Sequence, residues 1–143
     1  MTAAGELTTV EVDGATYYIE PRTLDELPSI RREQKLRLLN PFDGLVINRK
    51  RLERLFGFRY ALECYKKPDQ REFGYYTLPL LRGEEFLGRL DAKADRKRKK
   101  LVLRGLWWED GAPDSAELKR ELRTELERLA AFNGCEDIEE RLD

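Results

Sequence analysis

Between residues 58 and 108 the chain repeats one pattern, an apolar strand-like run of eight or nine residues followed by a short turn. The runs are 58–65, 73–81, 86–94 and 101–108, and the turns hold Pro68-Asp69, Gly83-Glu84 and the stretch from Asp95 to Lys100. Short strands at this spacing form an antiparallel meander, and a meander protects its edges by curling or closing on itself. The expected fold is therefore α+β and mainly β, a small antiparallel β-barrel or curled meander.

Other signals flank this region. Residues 7–12 and 15–19 surround Asp13-Gly14, a dipeptide suited to a two-residue hairpin turn, so the N-terminal part forms a β-ribbon. Thr23-Leu24-Asp25-Glu26 has capping-box spacing, and Pro28 limits a helix there to about one turn before a second short helical stretch from Ser29. Asn48 is placed to cap a short helix with Leu52, Leu55 and Phe56 on one side and Gly57 at its end. Asp114 is placed to cap a final helix whose Leu118, Leu122, Leu126 and Leu129 form an apolar stripe, ended by Asn133-Gly134. The expected division is a hairpin and connector (1–35), a basic β-barrel module (36–110) and a C-terminal helix packed on it (111–143). A length of 143 residues fits one domain with appendages.

Charge is distributed unevenly along the chain. The formal net charge of −1 combines a +9 balance over residues 44–105 with −3 over 1–43 and −7 over 106–143. Five consecutive cations, Arg96, Lys97, Arg98, Lys99 and Lys100, fall at the tip of the hairpin before the last strand-like run. A solubilising turn or a lysine-protected edge needs fewer. Five on a module already at +9 point to a polyanion, since each contact with a phosphate releases condensed counterions. Arg49, Lys50, Arg51 and Arg54 on the short helix, and Lys66, Lys67 and Arg71 in a turn, are candidates to join them.

The chain has no histidine, which removes the Ser-His-Asp triad, the Cys-His pair and the ordinary zinc site. Cys64 and Cys135 have neither metal spacing nor a disulfide framework and read as reduced cytosolic thiols. No window reaches the roughly 20 apolar residues of a membrane span, and the first residues lack the basic and apolar parts of an export signal. The expectation is a cytoplasmic protein without metal, cofactor or membrane. Tyr75-Tyr76 and Trp107-Trp108 read as core, because neighbouring strand residues point to opposite faces. Asp43 reads as a turn anchor, and Asp91 with Lys93 as a pair on one strand face. With Glu63 and Asp95 these carboxylates are the pool for any acid/base chemistry, and structural roles are the expectation for all of them. Gly83 and Gly88 are isolated, so no phosphate-cradling loop is present.

Several stretches occur in an order that resembles a known family. They are Leu38-Leu39-Asn40-Pro41-Phe42-Asp43, Arg49-Lys50-Arg51, Arg54-Leu55-Phe56-Gly57-Phe58-Arg59-Tyr60, Glu63-Cys64-Tyr65, Gly74-Tyr75-Tyr76-Thr77-Leu78-Pro79 and Gly88-Arg89-Leu90-Asp91-Ala92-Lys93-Ala94-Asp95-Arg96. Over residues 36–108 the chain is similar to the C-terminal region of winged-helix DNA glycosylases of the AlkZ/YcaQ type, which excise alkylated bases and unhook interstrand crosslinks. The resemblance implies winged-helix repeats followed by a β-barrel that helps hold duplex DNA, with the N-terminal hairpin as the last wing. The family's water-activating motif, a glutamine, a bulky residue and a second glutamine or close variant, belongs to the winged-helix part. Gln34 and Gln70 are the only glutamines here, so that motif is absent.

The expected function is a DNA-binding accessory module that contacts duplex phosphates while chemistry happens elsewhere. Its expected partners are duplex DNA and the winged-helix domains of a longer protein, and this chain alone supplies no catalytic residue. A rival reading is a scaffold in which the basic module binds acidic protein surface. A third is a hydrolase using Asp43, Asp91 or Asp95.

Overall fold

A computed structural model describes residues 7–142. The chain divides into two compact units, residues 1–32 and 33–143. In the first, β1 (Thr8–Val12) and β2 (Ala15–Ile19) pair antiparallel with Val12 opposite Ala15. Asp13 and Gly14 between them have φ of 49° and 71°, the backbone that a tight two-residue hairpin turn requires. Helix α1 (Pro21–Glu26) then begins three residues earlier than its capping-box spacing predicts, with Glu20 and not Thr23 at the N-cap. Pro21 decides this: its φ suits the first helical position and its missing N–H would have no helical partner there anyway. Pro28 limits the helix as expected, leaving a 3-10 turn at Leu27–Ser29. The helical stretch expected from Ser29 onward does not form, and residues 30–35 are irregular.

The second unit is built on a five-stranded sheet in the order β3 (Leu36–Leu38), β4 (Thr77–Arg82), β5 (Glu85–Asp95), β6 (Lys100–Trp108) and β7 (Asp137–Glu140). Neighbours are antiparallel except for β7, which runs parallel to β6. The fold is mixed α+β and mainly β, a curled half-barrel with a C-terminal helix. Two register shifts help curl it, at Leu80/Leu81 against β5 and at Asp91/Ala92 against β6, because an extra residue on one strand bends it and sharpens the twist. Gly105 admits a close approach: a Cβ there would lie 2.0 Å from the Trp107 ring.

Of the four expected strands, 86–94 and 101–108 match β5 and β6 to within a residue. The run 73–81 becomes a strand only at Thr77. The run 58–65 is not a strand. Its alternation is real, with Phe58 and Tyr60 buried and Arg59 and Ala61 exposed, but the buried side chains serve a second cluster with Val46, Leu52 and Phe86. The Tyr60 hydroxyl donates to the Thr77 carbonyl at 2.6 Å, which ties this segment beside the sheet.

Helix α2 (Arg49–Phe56) follows the sequence signals: the Asn48 side chain accepts the Arg51 N–H, and Gly57 ends the helix at φ 64°. Helix α3 (Ala116–Phe132) is capped by Ser115, not by Asp114. The Ser115 hydroxyl accepts the Leu118 N–H, while the Asp114 carboxylate pairs with Lys119. Leu118, Leu122 and Leu126 are buried against Leu78, Leu80, Leu87, Leu90, Leu101 and Leu103 of the sheet, with Leu129 at the margin. No helix among the described residues is long and apolar enough to cross a membrane.

Leu90 is fully enclosed in this layer. Leu90→Ala is expected to lower the unfolding free energy by about 2–5 kcal/mol, seen as an earlier urea midpoint at unchanged slope.

Candidate nucleic-acid interface

Strands β5 and β6 are joined by residues 96–99, with Asp95 opposite Lys100. The Asp95 carboxylate accepts the Arg98 N–H at 3.1 Å, and Lys99 completes the turn in the left-handed region at φ 51°. The five expected cations thus sit together at one end of the longest strand pair, but they do not share one fate. The Arg98 guanidinium donates to Glu139 at 2.8 Å and the Lys99 ammonium to Glu136 at 2.6 Å. Lys100 lies 3.3 Å from Asp137 and 3.7 Å from Glu139. Arg96 and Lys97 are exposed and make no ion pair with the described residues.

An open groove of about 670 Å³ runs from this tip along the sheet. Lys93, Arg96, Lys97, Arg98, Arg104 and Arg141 line it, with Asp95 as its one carboxylate. Arg104 owes its exposure to the register shift in β6, where it is the extra residue between Leu103 and Gly105. Sequence reasoning missed Lys93, Arg104 and Arg141 as partners of the tip. Period-2 spacing placed Lys93 beside Asp91, but Asp91 is buried and accepts the Tyr75 N–H at 3.2 Å, so the expected Asp91–Lys93 pair does not form.

The other expected cations lie elsewhere. Arg49 is half-buried over the Tyr60 ring, 4.5 Å from its centroid, and donates to the carbonyls of Pro41 and Val46. Arg51 donates to the Gly44 carbonyl, while Lys50 is exposed. In the loop before β4, Lys66 pairs with Glu63 at 2.7 Å, Arg71 donates to the Lys66 carbonyl and covers Tyr75, and Lys67 is exposed. Arg49, Arg51, Lys66 and Arg71 therefore already hold local structure. Of the aromatic pairs, Trp107 packs edge-on to Phe73 and Tyr76 is half-buried, whereas Tyr75 and Trp108 are exposed. Only one member of each pair is even half-buried, so the core reading holds at most in part.

Two carboxylates do structural work nearby. The Asp43 carboxylate accepts the Leu45 N–H at 2.8 Å, the turn anchor expected of it. Glu63 is 3% exposed and gathers the backbone N–H groups of Glu72, Phe73 and Gly74 together with the Lys66 ammonium. Burial pushes its pKa up, but the bonds from Lys66, Phe73, Glu72 and Gly74 outweigh that and bring it down to about 2. Arg89 is buried between the rings of Phe58 and Phe73, 4.5 and 4.2 Å from their centroids, and pairs with Glu109 at 2.6 Å.

Fold and surface together define a small curled-sheet module that carries a cationic hairpin and groove on its rim. The chain belongs to the family described as DNA glycosylase AlkZ-like, which matches residues 1–132. Among solved structures it is similar to the Streptomyces sahachiroi DNA glycosylase AlkZ, at 20% identity and a TM-score of 0.53. That likeness is one of fold, and it covers 96% of this chain and 33% of the other, so the chain spans about a third of that protein's length.

The Glu63 pKa makes stability depend on pH. A carboxyl that titrates at about 2 when folded and near 4.5 when unfolded stabilises fully above about pH 5 and loses its effect as pH falls from 4.5 toward 2. The gap corresponds to about 3 kcal/mol. Glu63→Gln is expected to lower stability by that order at pH 7 and by far less near pH 2. Chemical denaturation at the two pH values checks this, and an equal loss at both would assign the effect to packing.

Proposed function

We propose that this chain is the DNA-binding accessory module of a winged-helix glycosylase-like protein, with the chemistry carried by a part outside these residues. The observation that carries the reading is the groove of six cations and one carboxylate at the β5–β6 tip. Arg96 and Lys97 make the first phosphate contacts, and Arg98, Lys99 and Lys100 extend them. Lys50 and Lys67 are exposed and add peripheral charge. Arg49, Arg51, Lys66 and Arg71 shape the loops that present it. Phosphate contacts set register but carry little base information, so binding depends steeply on salt and weakly on sequence. Family membership supports DNA as the partner, and the match to a third of a DNA glycosylase supports a longer protein, whose winged-helix domains are what the family resemblance implies. Two unbridged cysteines in a DNA-handling protein fit the cytoplasm.

A second reading keeps one observation in its favour. The tip does bind acidic protein surface, namely the Glu136, Asp137 and Glu139 carboxylates of its own chain, as a scaffold module would.

Fluorescence anisotropy of labelled duplex DNA over a salt series separates the two. R96E/K97E is expected to weaken binding by about tenfold or more at low salt and to reduce the slope of log affinity against log salt by about 2, near 0.9 for each lost phosphate contact. Unchanged affinity would remove the tip from the interface, and salt-sensitive self-association without DNA binding would favour the scaffold.

A further inference from the structure

We propose that β7 is an internal competitor of the phosphate backbone, a strand whose carboxylates occupy the three tip cations Arg98, Lys99 and Lys100 and yield them when a polyanion binds. The inference rests on the phosphate-contact reading of the tip and concerns how that contact is regulated.

The segment after α3 has the composition of a displaceable anion. Residues 136–140 carry four carboxylates, Glu136, Asp137, Glu139 and Glu140, around one apolar residue, Ile138. Three of the four contact the tip, and Glu139 is the hub, facing Arg98, Lys100 and Arg141. Its carboxyl is drawn below the ordinary range by Arg141 and then, against the effect of burial, by Arg98. These carboxylates stand where phosphate oxygens would have to stand to reach the same cations, so the two anions exclude each other.

The attachment is weak by construction. The Lys99–Glu136 pair is open at both ends, 60% and 71% exposed, and the Arg98–Glu139 and Lys100–Asp137 pairs each have one open partner, so these ion pairs contribute modestly and weaken with salt. Strand β7 has four residues at the sheet edge in parallel pairing, the less stable kind. Only Ile138 reaches the main apolar cluster. Backbone bonds from Glu136 N–H to the Lys99 carbonyl at 2.7 Å and from Arg141 N–H to the Leu103 carbonyl at 2.8 Å close its two ends. Just before it, Cys135 is buried and its N–H donates to the Ala130 carbonyl at 2.8 Å. The strand can therefore leave the tip from residue 136 onward by giving up the Ile138 contact with the main cluster, while the end of α3 stays held at Cys135. Arg96 and Lys97 lie outside this clamp, so an approaching phosphate backbone meets them first and displaces β7 second.

The test compares the wild-type chain with E136Q/D137N/E139Q, which keeps side-chain size and backbone pairing, using anisotropy with labelled duplex DNA and with labelled heparin. Both probes are expected to bind the variant on the order of tenfold more tightly at low salt, the scale of three ion pairs at or near the surface. The salt slope for duplex DNA should steepen by about 0.9 for each cation released to a phosphate. In an R98Q/K99Q/K100Q background the same three substitutions should bring no gain. Absence of a gain for both probes in a variant with a wild-type circular dichroism spectrum and melting curve would overturn the proposal, as would a gain that persists in the R98Q/K99Q/K100Q background. A gain for heparin with no duplex binding by any variant would retain the competitor and remove the DNA reading. Hydrogen exchange of the wild-type chain needs no substitution: saturating heparin should lower amide protection across residues 137–140, and unchanged protection would overturn the displacement.

Discussion

The contact on which the second unit depends is the layer of leucines between α3 and the sheet. Leu118, Leu122 and Leu126 meet the leucines of β4, β5 and β6, and each buried leucine contributes roughly 1.5–3 kcal/mol before the entropy of ordering is set against it. This layer also determines where the chain goes next. Strand β6 has nine residues, about 30 Å at 3.3 Å per residue, and α3 has seventeen, about 25 Å at 1.5 Å per residue. A helix of that length, packed back along the strand it follows, returns the chain to the start of β6. The next segment then pairs parallel to β6, with Asp137 opposite Lys100 at the base of the tip.

Electrostatics takes its meaning from that geometry. The +9 module and the −7 end are far apart in charge but adjacent in space, because a leucine-packed helix delivers the acidic residues to the hairpin that bears five cations. Charge is then not a uniform property of the tip. Arg98, Lys99 and Lys100 are neutralised from within the chain, while Arg96 and Lys97 face outward with Lys93 and Arg104 along the groove. A count of cations along the sequence therefore overstates the charge that an incoming polyanion first meets.

The second apolar cluster solves a different problem. Phe58, Tyr60 and Phe86 hold residues 58–65 beside the sheet, and Glu63 converts the loop after them into a fixed turn by accepting three backbone N–H groups. Arg89 joins the two regions, its guanidinium between Phe58 and Phe73 and its charge met by Glu109. The loops around the sheet are thus held by ionic and aromatic contacts, whereas the sheet itself is held by aliphatic packing.

Local chemistry accounts for what could be read without the fold. The Asp13-Gly14 turn, the Asn48 cap, the Gly57 and Asn133-Gly134 stops and the two long strands β5 and β6 each follow from neighbouring residues alone, and so does the placement of five cations at one turn. The sequence could not reveal that residues 58–65 alternate for the sake of a side cluster and not a ladder, since a period of two reports burial and not hydrogen-bond partners. Nor could it reveal β3 and β7. The first is three residues long, and the second is an acidic segment with little strand propensity that pairs only because β6 offers an edge and lysines to receive it. The sequence by itself determined the mainly β character, the turn chemistry and the amount of positive charge at the tip. Which of those charges remain open was decided only by the tertiary structure, because that depends on carboxylates some forty residues away, brought there by the length and packing of one helix.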